Sequence, residues 1–106
     1  MNTDLQGTFR ALADPTRRMI LTHLSGGDMT IGEVADQFEM TRAAVKKHLT
    51  ILEEGDLISV HTIGRTRINR LEPEALKSAA QWFDFFSTFW DEHLSRLQQA
   101  IDKQKN

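Results

Sequence analysis

The chain has 106 residues with 13 Lys/Arg against 15 Asp/Glu, a net charge of −2 and no cysteine, the length of one domain with apolar residues enough for one core. Lack of cysteine removes disulfides, thiolate metal sites and thiol redox sensing from consideration. No stretch approaches the roughly 20 apolar residues of a membrane span, and the opening MNTDLQGTFR lacks the basic start and apolar run of a secretory signal, so a cytoplasmic protein is expected.

Leu5, Phe9 and Leu12 recur at spacings of four and three, which predicts a short helix over about residues 3–12. The stretch ADPTRR then breaks and restarts the chain. Asp14 can cap the next helix with its carboxylate, and Pro15 suits the first helical position, where a missing N–H costs nothing. Met19, Ile20 and Leu24 are expected to supply the inner face of that helix, and Gly26-Gly27 to end it. Thr30 to Glu33, TIGE, is a capping box: the hydroxyl accepts from the third amide while the glutamate reaches back. Ile31, Val34, Ala35 and Phe38 form the buried side of this third helix. After the brief link EM, Thr41 can cap a fourth helix starting at Arg42 and closed by Gly55. Val45, Leu49 and Leu52 lie within about 60° of one another on it, while Ala43, Lys47 and Thr50 point away and Arg42 and Lys46 occupy a flank.

LISVHTI and TRINRL follow as two strands joined at Gly64-Arg65 in a hairpin. Alternation is clean at Ile58 and Val60 and slips afterwards, because Ile68 and Leu71 are three apart. From Glu74 to about Gln104 one long helix is expected, with Leu76, Ala79, Phe83, Trp90, Leu94, Leu97 and Ile101 in a stripe widened by Trp82, Phe86 and Phe89.

These elements predict a mainly α chain with a small β-hairpin, a single winged helix-turn-helix domain over residues 1–106. The helix-turn-helix falls at about 30–54, the wing at about 57–71, and dimerisation helices at about 3–12 and 74–104. Such an arrangement suits double-stranded DNA. The major groove, about 12 Å wide, admits one helix whose leading residues touch base edges. Six of the thirteen Lys/Arg but three of the fifteen Asp/Glu lie between Arg42 and Arg70, and it is local potential that a polyanion meets on contact. The expected DNA-binding residues are Thr30, Thr41, Arg42, Ala43, Lys46, Lys47 and Thr50, with Arg65 and Arg67 on the hairpin. Ala43 permits close approach, the cations donate to bases or phosphates, and the two threonines mark helix starts that suit phosphate oxygens.

The stretches ALADPTRRMILTHL, MTIGEVADQFEMTRAAVKKHLTILEEGDLISVHTIGRTRI and WFDFFSTFWDEHLSRL resemble the ArsR/SmtB winged-helix repressors. The likeness is nearest to the metal-independent members related to the bacterial sporulation-delay autorepressor, and it covers about residues 5 to 97. It implies a homodimeric bacterial transcription repressor whose fourth helix reads operator DNA, with Thr41, Arg42, Ala43, Lys46 and Lys47 on that helix. Family helices commonly have Gln where this one has Arg42, a residue suited to guanine O6 and N7. The second wing strand departs from the family pattern, with Asn69 where an aromatic is usual.

Plainer uses compete for several residues. Charges on the fourth helix could simply be a solvated face. Arg17 and Arg18, adjacent and about 100° apart on a helix, are not expected to act as one clamp, and serve helix packing or ion pairs. His48 borders the buried stripe and is expected to pack there. Asp91 and His93 match the first half of the zinc site of metal-sensing relatives, yet nothing like the second half follows before Asn106. Zinc in a closed site wants four ligands, so neither a metal nor any other cofactor is assigned. The aromatic stripe is too wide for packing on so small a domain alone. Leu5, Phe9, Trp82, Phe86, Phe89, Trp90, Leu94 and Leu97 are therefore expected to form a homodimer interface. No Ser/His/Asp set, phosphate loop or paired carboxylates point to an enzyme. Two rival functions share this fold: a switch driven by a metal or small-molecule effector, and a winged helix used for protein–protein contact.

Overall fold

Side-chain caps start three helices where the sequence places them. The computed structural model describes residues 5–104. In chain order it contains α1 (Gln6–Leu12), α2 (Pro15–Leu24), α3 (Ile31–Phe38), α4 (Arg42–Glu54), β1 (Ile58–Ile63), β2 (Thr66–Leu71), α5 (Pro73–Asp84) and α6 (Ser87–Gln104). The Asp14 carboxylate accepts from the Arg17 amide at 3.0 Å, and Thr41 Oγ1 from the Ala44 amide at 3.1 Å. Thr30 and Glu33 form the full capping box, at 3.1 and 2.8 Å. Each cap satisfies a first-turn donor that has no partner inside its own helix. Left-handed Glu39, at φ +53°, lets the chain turn between α3 and α4 in three residues. The part of the expected first helix before Leu5 lies outside the described residues.

The core gathers beneath α4. Ile20, Val34, Val45, Leu52 and Leu57 are fully buried, with Ala11, Leu21, Leu24, Leu49 and Ile58 around them. Met19, expected on the inner face of α2, is instead 54% exposed. Ile20, Leu21 and Leu24 already share the buried face, and Met19 lies about 200° from Leu21 around the helix.

Helix α1 packs on the C-terminal end of α4 with no side chain between the backbones. A Cβ on Gly55 would stand 2.7 Å from the Gly7 carbonyl oxygen, and buried Thr8 donates through Oγ1 to Gly55 O at 2.9 Å. Arg17 and Arg18 both serve the end of α1, the structural role in helix packing expected of them. Arg17 donates to Ala11 O and Arg10 O at 2.8 and 3.0 Å, and Arg18 to Leu12 O at 2.7 Å. Adjacent side chains converge here because three consecutive carbonyls fan around a helix end, where cations are favoured.

The hairpin keeps one register throughout, from Ile58 opposite Leu71 to Ile63 opposite Thr66, around Gly64 at φ +63°. Cross-strand partners share a face, so Ile58, Val60, Asn69 and Leu71 look inward and His61 and Ile68 outward. The apparent slip in the sequence arises because the inward position between Ile68 and Arg70 carries a polar residue. Asn69 is nonetheless buried and exchanges two backbone hydrogen bonds with Met29, while its Nδ2 donates to Met29 O at 3.1 Å. Arg70 grips Asp28 through Nε and Nη2 at 3.0 and 2.9 Å, fastening the wing to the loop before α3 a second time.

The single long helix expected from residue 74 is two helices. Phe85 and Phe86 form a turn in which the Phe86 amide bonds Phe83 O, three residues back. The buried part of α5 is short, at Ala75 and Ala79, and no residue of α6 is buried. Accordingly the radius of gyration, 18.7 Å, exceeds the roughly 13 Å of a compact domain this long: α6 extends away from the core.

Candidate nucleic-acid interface

With α4 capped by Thr41 and anchored by Val45, Leu49 and Leu52, its opposite side must face solvent. Thr41, Arg42, Ala43, Lys46, Lys47 and Thr50 are all exposed, and Thr30 is half-buried at the start of α3. Arg42, Lys46 and Thr50 follow one another at spacings of four and so form a row; Ala43 and Lys47 form the row beside it.

The wing closes one flank of this surface. Lys46, Thr50 and Arg67 line a cleft of about 240 Å³ between α4 and the hairpin, floored by Ile31, Leu49, Val60 and Asn69, with Glu53 at its far end. Arg67 shares the inward face of the hairpin with Asn69, whereas Arg65 occupies the turn itself. Glu53 and Asn69 are members of this surface that sequence reasoning did not include. Spacing on α4 could have found Glu53, seven residues beyond Lys46, but Asn69 enters only through strand register.

Seven of the eight arginines fall into two sets, and Arg96 stands apart on α6. Arg10, Arg17, Arg18 and Arg70 are engaged with carbonyls or carboxylates. Arg42, Arg65 and Arg67, like Lys46 and Lys47, make no ion pair or side-chain hydrogen bond among the described residues. Five uncommitted cations thus sit on α4 and the wing. The Arg42 guanidinium rests on the first turn of α3, where a Cβ on Gly32 would lie 2.8 Å from its Nη2.

Beneath this surface His48 holds α4 to the front of the molecule. Its Nδ1 lies 3.3 Å from Arg17 Nη1 and 4.0 Å from Asp14 Oδ2. A guanidinium can only donate, so Nδ1 accepts and the imidazole carries its proton on Nε2. The Arg17 amide, together with the Arg17 charge, holds the Asp14 carboxyl below its ordinary value against the opposing effect of burial. His48 is therefore the packing residue expected, with a polar role added.

The second surface is apolar. Phe89, Trp90, Leu94 and Leu97 on α6 are 52–58% exposed, and Trp82 on α5 is 49% exposed. Leu5, Phe9 and Phe86 are half-buried. Phe9 joins α1 to this surface by edge-to-face contacts with Trp82 and Phe83, centroids 5.6 and 6.0 Å apart. Phe85, 80% exposed in the turn, was not expected here. Asp91 and His93 are exposed on α6, where the His93 ring stacks on Phe89 at 5.5 Å. Among the described residues no three His, Cys, Asp or Glu side chains group as metal ligands, and no helix is long and apolar enough to cross a membrane.

Comparison with known proteins agrees with this geometry. A family model described as a helix-turn-helix domain matches residues 12–61. The transcriptional repressor SdpR of Bacillus subtilis (strain 168) is 37% identical over 78 residues, covering 74% of this chain and 87% of that protein. The crystal structure of an ArsR family transcriptional regulator superposes with a TM-score of 0.74 at 38% identity, over 82% of this chain and 90% of the other. An ArsR-like transcriptional regulator from Rhodococcus sp. RHA1 gives a TM-score of 0.77 at 29% identity, over 93% and 91%.

Proposed function

Because the chain belongs to the ArsR/SmtB family of winged helix-turn-helix transcriptional repressors, we propose that it acts as a homodimer on a palindromic DNA operator, without sensing a metal. The observation that carries this is the set of uncommitted cations on α4 and the wing, on a chain whose other described arginines near the core are all engaged. Two copies of α4 enter successive major grooves about 34 Å apart, with the wings on the flanking backbone. Lys46, Lys47, Arg65 and Arg67 supply phosphate contacts and most of the affinity, while Ala43 and Thr50 approach the bases. Thr41 and Thr30 place helix starts at the backbone, and Arg42 bridges between them.

Exposure of four large apolar side chains on α6 supports the dimer, since a contiguous patch of that kind is a liability in a lone subunit. Twofold symmetry then matches a palindrome. Metal independence rests on ligand count: Asp91 and His93 offer two donors where a closed zinc site needs four. The chain's relatives are transcriptional regulators rather than enzymes.

Footprinting on the DNA upstream of the protein's own gene tests the proposal, in parallel with an unrelated fragment of equal length. Two protected half-sites about one helical turn apart are expected. Equal, featureless protection of both fragments, or none, overturns it and favours a winged helix used for protein contact.

A further inference from the structure

Arg42 stands at the first position of α4, and its guanidinium rests against the first turn of α3. The seat exists because residue 32 has no side chain. A Cβ there would lie 2.8 Å from Nη2 and 3.4 Å from Cζ of Arg42, and 3.8 Å from Thr30 Oγ1. Nothing on the protein balances the charge: no carboxylate lies within ion-pair distance of Arg42 among the described residues. The cation instead occupies the positive ends of two helices at once, an unfavourable position that a bound anion would reverse. The capping box consumes the Thr30 and Glu33 amides, which leaves the Ile31 and Gly32 amides of that turn for the same anion.

We infer that Gly32 is a positioning residue of the DNA interface: by admitting the Arg42 guanidinium against α3, it commits Arg42 to a backbone phosphate and withholds it from base edges. This rests on the DNA-binding proposal above and deepens it. Selection among bases then falls to Ala43, Thr50 and their neighbours, and Arg42 contributes equally to every sequence.

The test is a double-mutant cycle of Gly32→Ala and Arg42→Ala, measured as binding to the footprinted operator over a range of salt and against a panel of single-base variants. Gly32 is helical, so alanine favours the helix and melting should show both variants folded. Arg42→Ala should lower the log–log salt slope by about 0.9, weaken every operator variant by about tenfold, and leave base preference unchanged. Gly32→Ala should lower the slope when Arg42 is present and do nothing in the Arg42→Ala background. The inference is overturned if Gly32→Ala is silent, if its effect is the same without Arg42, or if Arg42→Ala relaxes one operator position while the slope stays fixed. Failure of the unaltered protein to prefer its operator would instead overturn the DNA-binding proposal along with it.

Discussion

Replacing Gly55 by alanine should loosen the joint between α1 and α4. The added methyl would stand 2.7 Å from Gly7 O and 3.1 Å from Gly7 C, against an ordinary contact of about 3.5 Å. These are backbone atoms, so a whole helix must retreat by roughly 0.5–1 Å, and overpacking of this kind costs about 1–3 kcal/mol. Retreat also stretches the Thr8 bond to Gly55 O, now 2.9 Å, for about another 1 kcal/mol. Reduced freedom of the unfolded chain returns about 0.4–1 kcal/mol. The net loss is about 2 kcal/mol, or about 1 M in urea midpoint for a chain this size. Urea titration followed by circular dichroism measures it, at one fixed protein concentration because the proposed self-association would add to stability. Gly26→Ala is the control, since its methyl would meet only His23 O at 3.4 Å. Equal midpoints for the two variants would refute the close-contact argument.

Lys46→Ala and Lys47→Ala should each reduce the salt slope of operator binding by about 0.9; an unchanged slope removes that lysine from the phosphate contacts. Trp90→Arg combined with Leu94→Asp should give a single-subunit mass in sedimentation while leaving the helical signal intact, because both side chains are more than half exposed in one chain; a persisting dimer would place the interface elsewhere. Asn69→Ala removes the Nδ2 bond to Met29 O and should cost about 1–2 kcal/mol, read as a lower urea midpoint; no change would mean that the backbone pairing with Met29 alone pins the wing. Asp14 titrates below its ordinary value, so its stabilisation is complete above the unfolded carboxylate pKa and disappears as pH falls through the lower, folded one. Asp14→Asn should flatten that part of the acid unfolding curve while retaining a capping oxygen; parallel acid curves would rule the carboxylate out.

Local chemistry made much of the fold legible. The caps at Asp14, Thr30 and Thr41 are written within four residues each, and the α4 stripe of Val45, Leu49 and Leu52 is a matter of period. The exposed cations on α4 follow from that stripe by subtraction. What stayed hidden depends on distant partners or weak stops. Nothing in Asp84 to Ser87 resembles a helix terminator, since neither glycine nor proline occurs there, and the apolar rhythm runs straight through the break. Gly55 looked like an ordinary stop, and its contact with Gly7 spans 48 positions. The convergence of Arg17 and Arg18 required the end of α1 to be in place first. Asn69 defeated the strand pattern because its burial is made tolerable by Met29, forty residues earlier.

Helix α1 touches the aromatic face through Phe9 and the reading helix through Gly7 and Thr8. A single seven-residue rod is therefore the whole thickness between the exposed aromatic surface and the cation-bearing helix. Any tilt imposed at the first is delivered to the second with no compliant layer to absorb it. In the proposed dimer, this backbone contact would set the reach from one half of the operator to the other, as a gauge block sets a gap.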